Sequence, residues 1–212
     1  MEKPKKSINH LIDDVSPSFC LAKWLQCTVD LYNGTTHSCH HPDRHLIPLD
    51  ELKKSPQALH NTNFKVKQQN LMLEGKRPEE CSYCWKIEDL NKGHESDRYI
   101  KSNDPWAVPY LDKIANRKEG ELFSPTYLEV MFDNKCNLSC CYCMADVSSS
   151  IFSEMKKFGP YKVSAQAHRM SRNLEKSSLY TEAFWKWLPD IVENLHFLRI
   201  TGGEPFLSPQ LD

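Results

Sequence analysis

The 212-residue chain has no excess of either charge, no long apolar run and no internal repeat. Lys and Arg number 27 against 28 Asp and Glu, a formal net charge of −1, so nothing draws the chain as a whole towards nucleic acid or anionic lipid. No window approaches the apolar length that spans a bilayer. The opening Met1-Glu-Lys-Pro-Lys-Lys6 is not followed by an apolar segment, so no secretory signal is expected and the expected location is cytoplasmic. No stretch is low in complexity. With 40% apolar and 26% charged residues, the composition fits a folded globular protein and argues against wholesale disorder.

What is present is cysteine: Cys20, Cys27, Cys39, Cys81, Cys84, Cys136, Cys140, Cys141 and Cys143. Nine is an odd number, which excludes complete internal disulfide pairing. In a reducing compartment, clustered cysteines read first as ligands of a metal or an iron–sulfur cluster. They fall into two groups, one before Trp85 and one in residues 136–143. Between them, Lys101-Ser-Asn-Asp-Pro105 and Arg117-Lys-Glu-Gly120 have loop and linker composition, which divides the chain into segments 1–120 and 121–212.

Segment 1–120 shows little periodicity. Short helices are expected around Leu49–Leu59, limited by Ser55-Pro56, and around Phe64–Glu74. Pro42, Pro48, Pro78, Pro105 and Pro109 mark the rest as loop-rich, and a segment of that kind often depends on a metal for its fold. The pairs Lys53-Lys54, Lys65-Val-Lys67 and Lys76-Arg77 are expected on a solvated face. Trp24, Trp85, Trp106, Trp185 and Trp187 are expected in the core or between segments.

Segment 121–212 is more regular. Tyr127–Phe132 reads as a strand. Thr181 reads as the N-cap of a helix reaching Asn194. Ala183, Phe184, Trp187, Leu188, Ile191, Val192 and Leu195 form its buried face, and Pro189 is expected to kink or split it. Phe197–Ile200 reads as a second strand running into the turn Thr201-Gly-Gly-Glu-Pro205. Strand, helix and strand make one parallel, right-handed βαβ unit. His168-Arg169, in the long connection, is a candidate lining of a substrate site.

Cys136-Asn-Leu-Ser-Cys140-Cys-Tyr-Cys143 contains C-x3-C-x2-C. Three thiolates on one short loop reach three corners of a [4Fe–4S] cube and leave one iron open. A zinc knuckle is the alternative. It wants a fourth ligand, and the nearest, Cys141, is awkwardly placed beside Cys140.

This spacing after a strand, with an aromatic before the last cysteine and Gly-Gly-Glu-Pro after the next strand, resembles the radical S-adenosylmethionine (SAM) enzymes. The resemblance implies that Cys136, Cys140 and Cys143 hold a [4Fe–4S] cluster whose fourth iron is chelated by the methionine moiety of SAM. It implies that Tyr142 lies against the adenine and that Gly202, Gly203, Glu204 and Pro205 receive the methionine amino group. It further implies reductive cleavage of SAM to a 5′-deoxyadenosyl radical, an electron donor such as a flavodoxin or ferredoxin, and a peptide, protein or small-molecule substrate. The fold implied is α/β, the first β/α units of a partial (β/α)6 TIM-like barrel. Residues 136–212 have room for strand one, helix one and strand two only, so the chain is expected to be an amino-terminal portion whose remaining strands lie elsewhere.

Cys81-Ser-Tyr-Cys84 presents two thiols to one metal, with Cys20, Gly34 and Cys39 upstream. This order resembles the auxiliary-cluster modules of that family, SPASM and the shorter twitch domain, here placed before the core. The resemblance assigns Cys20, Cys39, Cys81 and Cys84 to a second [4Fe–4S] cluster, with Cys27 as a spare. Structural zinc is the alternative, because His37, His40, His41 and His45 crowd around Cys39. A reading of another class is a non-catalytic, cysteine-rich metal-binding scaffold or electron-transfer module.

Overall fold

The computed structural model describes residues 8–90, 94–161 and 177–211. The chain enters through α1 (Ile8–Val15) and the single turn α2 (Ala22–Leu25), which leads directly into β1 (Gln26–Asp30). β2 (Thr35–His37) and β3 (His45–Leu46) follow, then α3 (Leu49–Lys54), α4 (Asn63–Leu73), α5 (Ser82–Glu88), α6 (Asp97–Ser102) and α7 (Leu111–Ala115). The second segment supplies β4 (Tyr127–Met131), α8 (Ser149–Phe158), α9 (Ser177–Ile191) and β5 (Phe197–Thr201).

The architecture is mixed α/β, built on one five-stranded sheet in the order β3-β2-β1-β4-β5. β1 pairs β2, and β2 pairs β3, in antiparallel fashion. β4 lies parallel to β1, Gln26 opposite Tyr127 through Asp30 opposite Met131, and parallel to β5, Tyr127 opposite Phe197 through Met131 opposite Thr201. The sheet therefore crosses residue 120, the position that composition marked as a linker.

Segment 1–120 is richer in structure than its sequence suggests. Its strands hide from periodicity because β1 is covered on both faces, and Gln26-Cys-Thr-Val-Asp30 shows no simple alternation of polarity. It also carries its own core, in which Ile12, Phe19, Leu21, Trp24, Met72, Trp85 and Trp106 pack together. A second core joins both segments: Cys27, Val29, Ile47 and Leu59 meet Leu128, Val130, Phe184, Trp187 and Ile191.

The local rules hold where side chains can act on the backbone. α3 has Asp50 and Glu51 in its first turn and Lys53 and Lys54 in its last, matching the helix dipole. Ser55-Pro56 ends it, and the Ser55 hydroxyl accepts from Gln57 N (3.3 Å) to open a short 3-10 turn over Pro56–Leu59. Thr62 caps α4 by accepting from Lys65 N at 3.1 Å. α9 is already helical at Ser177, so Thr181 is a buried residue inside it, not its cap. Pro189 falls two residues before its end, and the chain tightens into a 3-10 turn over Val192–Asn194. The face of α9 is as expected at Ala183, Phe184, Trp187 and Ile191, but Val192 is exposed. Of the five tryptophans, Trp185 alone is exposed. Among the described residues no strand pairs the outer edge of β5, whose Phe197, Leu198 and Ile200 remain exposed. No helix among them is long and apolar enough to cross a membrane.

Candidate metal centres

The C-x3-C-x2-C loop leaves the carboxyl end of β4, where open parallel sheets place their ligands. Its base is fixed by Ser149. Ser149 N donates to Asn134 O at 2.7 Å, and Ser149 Oγ accepts from Cys136 N at 3.0 Å. Ser148 caps α8 by accepting from Ile151 N (3.3 Å), and Ala145, Ile151 and Met155 pack beneath Cys143. Arg44 then ties the loop to the first segment by bridging Asp146 to Asp30 at the end of β1. Cys136, Cys140 and Cys143 are free thiols of intermediate exposure, and Cys141 is exposed. Tyr142 is 85% exposed.

The Gly-Gly-Glu-Pro turn packs backbone to backbone against the entry of this loop. A Cβ on Gly203 would stand 2.1 Å from Lys135 O, and one on Gly202, where φ is +124°, would stand 2.6 Å from Asp133 O. Glu204 N donates to Lys135 O at 2.7 Å. The Glu204 side chain caps the 3-10 turn Pro205–Leu207, with Phe206 N donating to Oε1 at 3.2 Å. The two motifs, distant in sequence, thus meet at the carboxyl ends of adjacent parallel strands. Here the glycines are required by the chain's own backbone. His168-Arg169 lies outside the described residues.

The second thiol set also comes together. Cys20, Cys39, Cys81 and Cys84 line one pocket with Lys23, His41, Met72, Trp85, Asp97 and Arg98. Cys20 precedes α2, Cys39 follows β2, and Cys81 and Cys84 flank the start of α5. Burial pushes the Cys20 thiol up to about 12, with the charges of Cys39, Cys81 and Cys84 adding to the effect. Burial likewise raises Cys81 to about 11 and lifts Cys39 and Cys84. Without a metal these thiols keep their protons at neutral pH; metal ligation is what would displace them. Among the described residues no three His, Cys, Asp or Glu side chains close on a single-ion site.

Cys27 does not belong to this set. It sits in the second core, its Sγ 3.7 Å from both Thr36 Oγ1 and Leu59 O. Three of the neighbouring histidines are engaged elsewhere. His37 meets Cys39 O, His40 lies 3.3 Å from Gln26 Nε2, and His45 lies 2.8 Å from Thr62 Oγ1. Burial lowers His37 to about 4 and His45 to about 3. His41 does line the pocket, but its Nε2 pairs with Asp97 Oδ2 at 2.7 Å and its ring stacks on Tyr83, centroids 3.7 Å apart.

The two thiol sets occupy opposite ends of the parallel ladder. Cys20 lies ahead of Gln26, which opens β1, and Cys136 lies beyond Met131, which closes β4. A five-residue strand alone rises about 13 Å.

Two buried lysines escaped the sequence reading. Lys65, expected in solvent, is fully buried; its Nζ donates to Gln26 O (3.2 Å) and lies 2.7 Å from His60 Nδ1. Lys23 lines the thiol pocket and pairs with Glu80. Its signal was available: it is the lone charge in the apolar run Leu21-Ala-Lys-Trp-Leu25. Protein-family models, curated proteins and solved structures provide no match to this chain.

Proposed function

We propose that the chain carries the first β/α unit of a radical SAM core, β4 to β5 of a partial (β/α)6 barrel, joined to an auxiliary-cluster module of the twitch/SPASM kind. The observation that carries this reading is the packing of Gly202-Gly203 on Asp133–Lys135, which sets both motifs at one end of neighbouring parallel strands. Cys136, Cys140 and Cys143 would hold the SAM-binding [4Fe–4S] cluster, and their donor chemistry fits it: free, partly exposed thiols on one anchored loop. When bound, that cluster supplies the electron that cleaves SAM to methionine and a 5′-deoxyadenosyl radical. Tyr142 offers an exposed ring for the adenine, and the Gly202–Pro205 turn borders the place for the methionine amino group. The pocket of Cys20, Cys39, Cys81 and Cys84 would hold the auxiliary [4Fe–4S] cluster.

Position constrains the auxiliary centre's role. At the far end of the ladder from the SAM site, it suits electron relay or structural support and does not suit holding substrate beside the radical. The substrate would be a peptide, protein or small molecule, with a peptide or protein the default that the auxiliary-cluster resemblance implies, and a flavodoxin or ferredoxin would be the electron donor.

The test is Cys140→Ala in the full chain, reconstituted anaerobically and supplied with SAM and reductant. The expected outcome is loss of 5′-deoxyadenosine formation, with the N-terminal iron and sulfide retained. An intact wild-type cluster that neither binds nor cleaves SAM would favour the scaffold or electron-transfer reading.

A further inference from the structure

Lys23 is 2% exposed and sits one helical turn from a candidate ligand, its N–H donating to Cys20 O at 3.0 Å. Gln69 Nε2 holds the same turn by donating to Lys23 O at 3.2 Å. The Lys23 side chain lines the thiol pocket beside Cys20, Cys39, Cys81 and Cys84 and forms an ion pair with Glu80.

The pocket's other buried cation is differently committed. Arg98 donates from Nε and Nη2 to Glu88 and from Nη1 to Asp13 (2.8 Å) and Phe19 O (3.1 Å). Its guanidinium is occupied by two carboxylates and a carbonyl, whereas Lys23 pairs with Glu80 and lines the pocket of the candidate ligand sulfurs.

Four thiolates outweigh the positive charge of a [4Fe–4S] core, and one-electron reduction makes the assembly more negative still. A buried ammonium in the wall of the cluster's pocket stabilises the reduced state more than the oxidised one. Hydrogen bonds to cluster sulfurs act in the same direction.

We propose that Lys23 is a positioning residue that sets the reduction potential of the cluster held by Cys20, Cys39, Cys81 and Cys84, with Glu80 attenuating its charge. This rests on the auxiliary-cluster reading above. The two residues therefore act with opposite sign. Removing the ammonium lowers the potential; removing the carboxylate exposes the ammonium's full charge and raises it.

The experiment uses the full-length chain carrying Cys136→Ala, Cys140→Ala and Cys143→Ala, so that only the N-terminal cluster is reconstituted. Iron and sulfide are assayed, and the cluster is titrated with dithionite under electron paramagnetic resonance detection. Lys23→Gln is expected to keep iron and sulfide while lowering the reduced-to-oxidised ratio at the parent's midpoint about tenfold, or about 59 mV for one electron. Glu80→Gln is expected to move the midpoint the other way. Unchanged midpoints, or shifts of the same sign, overturn the proposal. If Lys23→Gln fails to take up iron, Glu80→Gln decides alone: a positive shift supports the proposal, and a null or negative one overturns it. A parent that binds iron and sulfide in neither assay refutes the auxiliary cluster itself, and the proposal with it.

Discussion

Lys65 shows how far one residue can depart from what its neighbours suggest. Between Phe64 and Val66 it reads as part of a solvated basic stretch, but α4 turns it inwards to Gln26 O and His60. His60 donates from Nε2 to Trp24 O at 2.7 Å, which leaves Nδ1 free to accept from the Lys65 amine. Burial lowers Lys65 to about 7, and the nearby Lys23 charge works in the same direction. The unfolded chain keeps an ordinary lysine pKa of about 10.4, so above pH 7 it binds the proton that the folded chain has shed. Stability contributed by this site therefore rises with pH across that window and is lost as pH falls through the folded value. Relative to wild type, Lys65→Met should flatten the rise in melting temperature between about pH 7 and 8.5, removing about 2 kcal/mol, or roughly 4–8 °C, of it. Parallel melting curves for the two proteins would contradict this. No sequence pattern could have found the residue, because its partners are Gln26 in β1 and His60, which follows the Pro56–Leu59 turn.

The elements divide by how locally they are encoded. α3, α4, β4 and β5 were legible because capping residues, a Ser-Pro break and short apolar runs act within a few positions. β1, β2 and β3 were not, because β1 is covered on both faces and its polar ends draw on partners elsewhere in the chain; Asp30, for example, accepts from Arg44 Nη1 at 3.1 Å, and Arg44 also bridges to Asp146. The site elements fall on both sides of this line. The cysteine spacing and the glycine pair were readable as motifs, but what the glycines touch was not. Resemblance assigned their closeness to a ligand, and the fold spends it on Asp133–Lys135. Gly203→Ala would force its methyl against Lys135 O, so β5 or the loop entry must shift. The expected cost is about 1–3 kcal/mol of stability, read from a urea midpoint, with weaker iron retention at Cys136, Cys140 and Cys143. A variant with wild-type midpoint and iron content would show that this contact does not position the loop.

At the scale of the whole molecule, the two segments are joined by a sheet, not by a tether. β1 from the first segment pairs with β4 from the second, the second core is shared, and Arg44 locks the thiol loop to Asp30. Composition near residue 120 marks a surface connection, and composition cannot register strand pairing across it. The consequence is an ordered arrangement of two thiol sets at opposite ends of one parallel ladder. β5, which exposes Phe197, Leu198 and Ile200, runs at its carboxyl end into the Gly-Gly-Glu-Pro turn. The account depends on the trio at the carboxyl end. Its most direct test is electron paramagnetic resonance of the anaerobically reconstituted, reduced chain, recorded with and without SAM. A reduced [4Fe–4S] signal that shifts on adding SAM, and that Cys140→Ala removes while the auxiliary signal persists, is the predicted result. A spectrum indifferent to SAM, or one in which Cys140→Ala changes nothing, would contradict it.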